Sequence, residues 1–190
     1  YAGTISPSTI NFVANPVTGG VSTASITLTY AGPSLGLGPD RLQIRAFLTS
    51  PTREGFSDYF NVQEVVWSDI VLTRTGETRR PGLGAPFKTG TPTPVLAGNS
   101  FPLTVTAVDT YGNRVDQTAT ADLSVLTSGV YANLGSPAQV TLANGEGTGF
   151  AQIYTAGSSV LLATVTANGF NDRSTGTITT GTYSASTGRL

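Results

Sequence analysis

The side chains that could carry chemistry in this sequence are few: some carboxylates, one lysine and one tryptophan. Two carboxylate pairs stand close enough in the chain to suggest a glycosidase-like acid and base, Glu54 with Asp58 and Glu64 with Asp69. Such a pair works when one carboxyl stays protonated beside an ionised partner, which requires a sheltered site. All four stand in polar, glycine-flanked or strand-edge contexts, which points to solvated groups. Histidine and cysteine, the residues most used for proton transfer and nucleophilic attack near neutrality, are absent from all 190 residues. The expectation is a chain that is not an enzyme.

The same absences exclude a disulfide framework and any site built on thiolate or imidazole ligands. Calcium is the one ion the sequence could serve, through Asp109, Asn113 and Asp116 in the segment from Asp109 to Asp116. The spacing is not that of an EF-hand. The competing reading is a turn at Gly112-Asn113 with Asp109 capping it through an Asx bond. No other cofactor is expected. Lys88, the only lysine, lies in a Gly/Thr-rich stretch and could form an isopeptide crosslink, as in some surface fibres; the plainer alternative is a solvated side chain. Trp67 sits in a segment that is apolar on both faces, so core or interdomain packing outweighs an exposed platform for sugar stacking.

These residues must be positioned by strands. No window repeats apolar residues at helical spacing without an intervening Gly, Pro or β-branched run. Alternation fits residues 9–14, 24–30, 42–48, 59–63, 65–74, 101–108, 118–126, 138–142, 147–154, 160–167 and 176–180. Leu103, Val105 and Ala107 form one apolar face, with Thr104, Thr106 and Val108 on the other. Gly19-Gly20, Gly32-Pro33, Gly38-Pro39, Gly112-Asn113, Asn144-Gly145, Ala156-Gly157 and Asn168-Gly169 punctuate the strands. Many short strands with evenly spaced turns and a few long connections, notably residues 31–40 and 76–99, predict an all-β Greek-key sandwich.

Charged residues make up 11% of the chain and nearly cancel to a net −1, against about 25% in ordinary soluble domains. No basic field exists to recruit nucleic acid or anionic lipid. Apolar runs fall far short of the ~18–20 residues of a spanning helix, so no membrane insertion is expected. A surface made soluble by Thr, Ser and Asn suits exposure outside a cell, and a chain that begins at Tyr1 rather than Met reads as a processed form or a segment of something longer.

One ordered set of landmarks is more specific. Gly76-Glu77-Thr78-Arg79-Arg80-Pro81-Gly82 is followed by Lys88-Thr89-Gly90-Thr91-Pro92, then Ala97-Gly98-Asn99-Ser100-Phe101, then Val105-Thr106-Ala107-Val108-Asp109. Leu142, Gly145 to Phe150, Tyr154-Thr155-Ala156-Gly157 and Leu162-Ala163-Thr164-Val165 continue the series. In order and spacing this resembles the bacterial Ig-like repeats, of Big and invasin-like type, found in large secreted surface proteins. Thr75 stands where the turn of those repeats usually has proline. The resemblance covers about residues 64–182 and implies tandem immunoglobulin-like sandwiches with a spacer, stalk or adhesive role and no catalysis.

The expected organisation is therefore an N-terminal β domain over residues 1–63, an Ig-like sandwich over residues 64–182 whose first strand contains Trp67, and a tail over residues 183–190. Residues 76–99 are expected to be an ordered internal loop rather than a free linker. About four strands in the first 63 residues are too few for a closed Ig sandwich, which leaves an open edge. Tyr1, Ala2, Gly3, Thr4 and Ile5 are the expected donors of a strand to a neighbouring copy, giving a head-to-tail homopolymer. A cell-surface or carbohydrate ligand is the remaining class of partner. A sugar-binding role would need a row of exposed aromatics, for which Tyr30, Phe47, Tyr59 and Phe60 are the candidates.

Overall fold

The structure is a computed structural model and describes residues 27–28, 43–49, 52–58, 66–135 and 138–180. The described residues contain strands and turns and no helix. β1 (Arg45–Thr49) and β2 (Thr52–Phe56) form an antiparallel hairpin, Arg45 opposite Phe56 and Thr49 opposite Thr52. Alternation over residues 42–48 marks the first of these arms, whereas Thr-Arg-Glu-Gly-Phe in the second alternates too weakly to register as a strand.

The remaining strands are β3 (Asp69–Arg74), β4 (Glu77–Arg79), β5 (Lys88–Gly90), β6 (Val95–Leu96), β7 (Ser100–Val108), β8 (Ala119–Val125), β9 (Ala132–Asn133), β10 (Gln139–Leu142), β11 (Glu146–Ile153), β12 (Gly157–Val165) and β13 (Phe170–Thr179). They build a five-stranded sheet in the order β10-β8-β12-β13-β6, a four-stranded sheet in the order β3-β7-β11-β9, and a small β4-β5 hairpin. The two larger sheets share one core. Leu103, Val105 and Ala107 of β7 and Ile70 and Leu72 of β3 meet Ala121 and Leu123 of β8, Leu161 and Ala163 of β12 and Ile178 of β13. Period-two pleating puts these alternate residues on one face, and burying them removes apolar surface from water at about 25 cal/mol per Å².

β3 departs from simple alternation. Val71 is as buried as its neighbours Ile70 and Leu72, so both faces of this strand are covered, as the apolar run around Trp67 predicts. Trp67 itself lies ahead of the strand and not within it, which corrects the expected boundary. It packs edge-on against Phe170 at 5.0 Å and its indole N–H donates to the Asp69 carbonyl at 2.7 Å.

Residues 76–94 are folded back onto the body rather than hanging free. Glu77 pairs with Gly90 and Arg79 with Lys88, the Arg79 guanidinium donates to the Gly112 carbonyl at 2.7 Å, and the Thr93 N–H donates to the Thr75 carbonyl at 2.7 Å. The last strand is also longer than its sequence pattern suggests, beginning at Phe170 rather than Gly176, because Asn171, Asp172 and Arg173 disguise its start.

The registers fix how the chain passes through the body. Asp69 at the start of β3 lies opposite Val108, while Thr179 at the end of β13 lies beside Leu96, whose turn leads into Ser100 at the other end of β7. The chain therefore enters at one end of the nine-residue strand β7 and leaves at the other, roughly 30 Å away at about 3.4 Å per residue.

Candidate functional site: a charged seam between β3 and β13

Among the described residues β3 is an edge strand, and β13 is covered by β6 only at Ile178 and Thr179. The open flanks of β3 and β13 face each other, and charged side chains fill the seam. The N–H groups of Ile70, Leu72 and Arg74 alternate along the side of β3 turned away from β7. Each has a carboxylate: Asp69 Oδ1 at 2.8 Å, Asp172 Oδ2 at 2.8 Å and Glu77 Oε2 at 2.9 Å. Buried backbone donors need acceptors, and here side chains supply what a further strand would.

Lys88 stands at the middle of the seam. The β4-β5 hairpin carries its side chain to the Leu72 carbonyl at 2.6 Å, the Arg173 carbonyl at 2.6 Å and Asp172 Oδ2 at 2.8 Å. Glu77 Oε1 lies 3.5 Å from the same nitrogen. Only 18% of the Lys88 side chain and 6% of the Glu77 side chain remain exposed, with Asp172 at 26%. This overturns the reading of Lys88 as a solvated side chain. Glu77 also accepts from the Ser174 hydroxyl at 2.7 Å, so the hairpin and β13 are tied twice.

Beside this cluster the Arg74 guanidinium is buried over the Phe101 ring, 4.4 Å from its centroid, and none of its three nitrogens has a hydrogen-bond partner. Desolvation lowers its pKa, partly offset by the charge of Glu77. Gly176 makes the room: a Cβ there would lie 2.4 Å from the Arg74 Nη1 atom. A buried cation held by packing and a ring face contributes little beyond its bulk. Arg74→Met is therefore expected to leave stability within about 1 kcal/mol of the parent or raise it, as urea midpoints would report.

Asp69 carries the second perturbed charge. Its pKa is raised, first by desolvation and further by the nearby Asp172 carboxylate, against the lowering effect of the Ile70 N–H. The folded form thus holds its proton more tightly than the unfolded chain, whose value is near 3.8. Stability contributed at low pH is lost as pH rises from that value through the raised folded one. Asp69→Asn keeps an acceptor for Ile70 and is expected to abolish this decline, seen as a flatter profile of urea midpoints between about pH 3 and 7.

The other candidates fall elsewhere. Asp109 and Asn113 come together and are fully buried: Asp109 Oδ1 accepts from the N–H groups of Tyr111 at 2.8 Å and Asn113 at 2.9 Å, and Oδ2 accepts from Asn113 Nδ2 at 3.0 Å. Gly112 takes a φ of 78° between them, so the Asx-turn reading accounts for both residues, while Asp116 is exposed. Among the described residues no group of three His, Cys, Asp or Glu side chains could hold a metal ion. Glu54 pairs with Arg45 at 2.7 Å on the β1-β2 hairpin, and Asp58 is exposed. Tyr1, Ala2, Gly3, Thr4 and Ile5 lie outside the described residues, as do Glu64, Tyr30, Tyr59 and Phe60.

The structure brings together a different set of aromatics. Phe150 lies on the outward side of β11, Tyr154 directly follows that strand, and Tyr131, which directly precedes β9, accepts the Tyr154 N–H on its carbonyl at 2.8 Å. All three rings are exposed, Tyr131 by 76%. Period-two spacing from Phe150 to Tyr154 was the available signal. No protein-family model matches the chain, and no curated protein matches it.

Proposed function

We propose that the chain is a non-catalytic structural or adhesive module of an extracellular surface assembly, a stalk or filament built from immunoglobulin-like Greek-key sandwiches. In this proposal residues 64–182 are taken as one such sandwich and residues 1–63 as a further β domain. The connections β7 to β8 and β11 to β12 cross between the sheets and β12 to β13 is a hairpin, which is the pattern that suggests the Ig-like reading. The observation that carries the role is mechanical. β3 and β13 run in the same direction beside each other, Leu72 level with Asp172 and Arg74 level with Gly176, and the chain enters and leaves at opposite ends. Traction on the two ends loads the seam in shear, across many interactions at once.

Self-association by strand donation belongs to the same proposal. A donor cannot use β3, whose outward N–H groups are already capped, so it must pair elsewhere. Immunogold electron microscopy on intact source cells tests the role: label on surface fibres or stalks is expected, and label confined within the cell contradicts it. A carbohydrate-binding module is the second reading, favoured by the exposed Tyr131, Phe150 and Tyr154. It requires retention of the full chain on an insoluble polysaccharide that Tyr131→Ala with Tyr154→Ala removes.

A further inference from the structure

We propose that Lys88 and Asp172 join in a self-formed isopeptide bond, with Glu77 carrying the proton. The three groups are already assembled: Lys88 Nζ is 2.8 Å from Asp172 Oδ2 and 3.5 Å from Glu77 Oε1. An amine is a nucleophile only when it has lost its proton, and Glu77, the most sheltered of the three, is the base at hand. The electrophile is prepared as well. Both carboxylate oxygens of Asp172 accept backbone N–H groups, Oδ2 from Leu72 at 2.8 Å and Oδ1 from Arg173 at 2.7 Å. These donors draw charge from the carboxyl carbon and stabilise the oxyanion formed on attack.

The step balances without any further reagent. Glu77 takes one proton from the Lys88 ammonium, and Nζ then forms a bond to Asp172 Cγ. One Cγ–O bond breaks, and that oxygen leaves as water with the proton returned by Glu77 and a second proton from the amine. The other oxygen remains as the amide carbonyl on its backbone N–H. One ammonium and one carboxylate become one amide and one water, with no change in net charge and no oxidation or reduction. Condensation in bulk water runs the other way. Here the reactants are held at contact distance, which replaces a bimolecular encounter by an intramolecular one.

The Leu72 and Arg173 carbonyls, each 2.6 Å from Nζ, remain to accept the amide N–H. The product would bolt the β4-β5 hairpin, which follows β3, to β13, and close residues 89–171 into a covalent loop.

The isolated full chain provides the test. Its mass under denaturing conditions is expected to be lower than the sequence mass by one water, with Lys88 and Asp172 found in one branched peptide. Because Lys88 is the only lysine, exhaustive amine labelling of the denatured chain should then mark the N-terminal amine alone. Glu77→Gln and Lys88→Arg, checked by circular dichroism for native strand content, should retain their full sequence masses. Asp172→Asn should crosslink with loss of ammonia in place of water. The wild-type measurement decides by itself: folded protein that keeps its full sequence mass after prolonged incubation, with two amines labelled, overturns the proposal.

Discussion

Asp172→Ala is expected to lower the stability of the unit formed by residues 66–180 by about 2–4 kcal/mol, the largest loss from any single charge in the seam. Asp172 performs two tasks that no neighbour can assume. Its Oδ2 is the acceptor of the Leu72 N–H, which belongs to a residue with no exposure to solvent, and it is the closest carboxylate to the Lys88 ammonium. Truncation leaves the N–H without its acceptor and a mostly buried cation facing only carbonyls and the more distant Glu77. Asp172→Asn should cost less, since an amide oxygen can still accept from Leu72. Made in the Lys88→Arg background, which keeps the cation and cannot form the amide, the comparison of the two variants by urea unfolding separates the hydrogen bond from the charge. Equal losses would mean that the charge dominates, and no loss in either would mean that the seam is not structural.

Gly145→Ala is expected to cost at least about 3 kcal/mol, and it acts at the turn into β11 rather than in the seam. Asn144 and Gly145 both take positive φ, 51° and 78°, as a tight turn between β10 and β11 demands. Conformation alone would charge alanine roughly 1–2 kcal/mol there. The larger obstacle is space. A Cβ at Gly145 would lie 1.9 Å from the Val115 carbonyl oxygen, a backbone atom that cannot rotate away. Moving it disturbs two hydrogen bonds of the same neighbourhood, from the Gly145 N–H to the Gln117 carbonyl and from the Val115 N–H to the Ala107 carbonyl, both within 3.0 Å. Thermal unfolding followed by circular dichroism checks this, and an unchanged melting point would show that the turn tolerates displacement.

The parts of this fold that were legible in the sequence are those whose cause is local. Alternation in Leu103, Val105 and Ala107 marks β7 because pleating imposes it residue by residue, and Asn144-Gly145 marks its turn because few other pairs accept that backbone. The seam has no local cause. Lys88 and Asp172 are 84 residues apart and Glu77 and Ser174 are 97 apart, so only the pairing of sheets brings them together. Residues 76–99 looked irregular because their strands are two or three residues long, too short for a period to show. Trp67 was assigned to a strand because its neighbours are apolar on both faces, whereas its indole N–H turns to the Asp69 carbonyl and its ring to Phe170. The exposed aromatic group was overlooked for a related reason. Tyr131 joins Phe150 and Tyr154 only through the short pairing of β9 with β11.

The central claim is that this body is built to bear load between its ends, with the seam between β3 and β13 sheared rather than peeled. Single-molecule stretching tests it directly by comparing two pulling directions on one protein. The described residues contain no cysteine, and none occurs elsewhere in the chain, so handles can be placed at will. In one experiment the chain is stretched by its two termini. In the other it is stretched through cysteines replacing Ser158 and Thr177, partners at the open end of the β12-β13 hairpin, which pulls those strands apart one hydrogen-bonded pair at a time. The account predicts rupture at a several-fold higher force through the termini than across the hairpin. Rupture through the termini at an equal or lower force would contradict it.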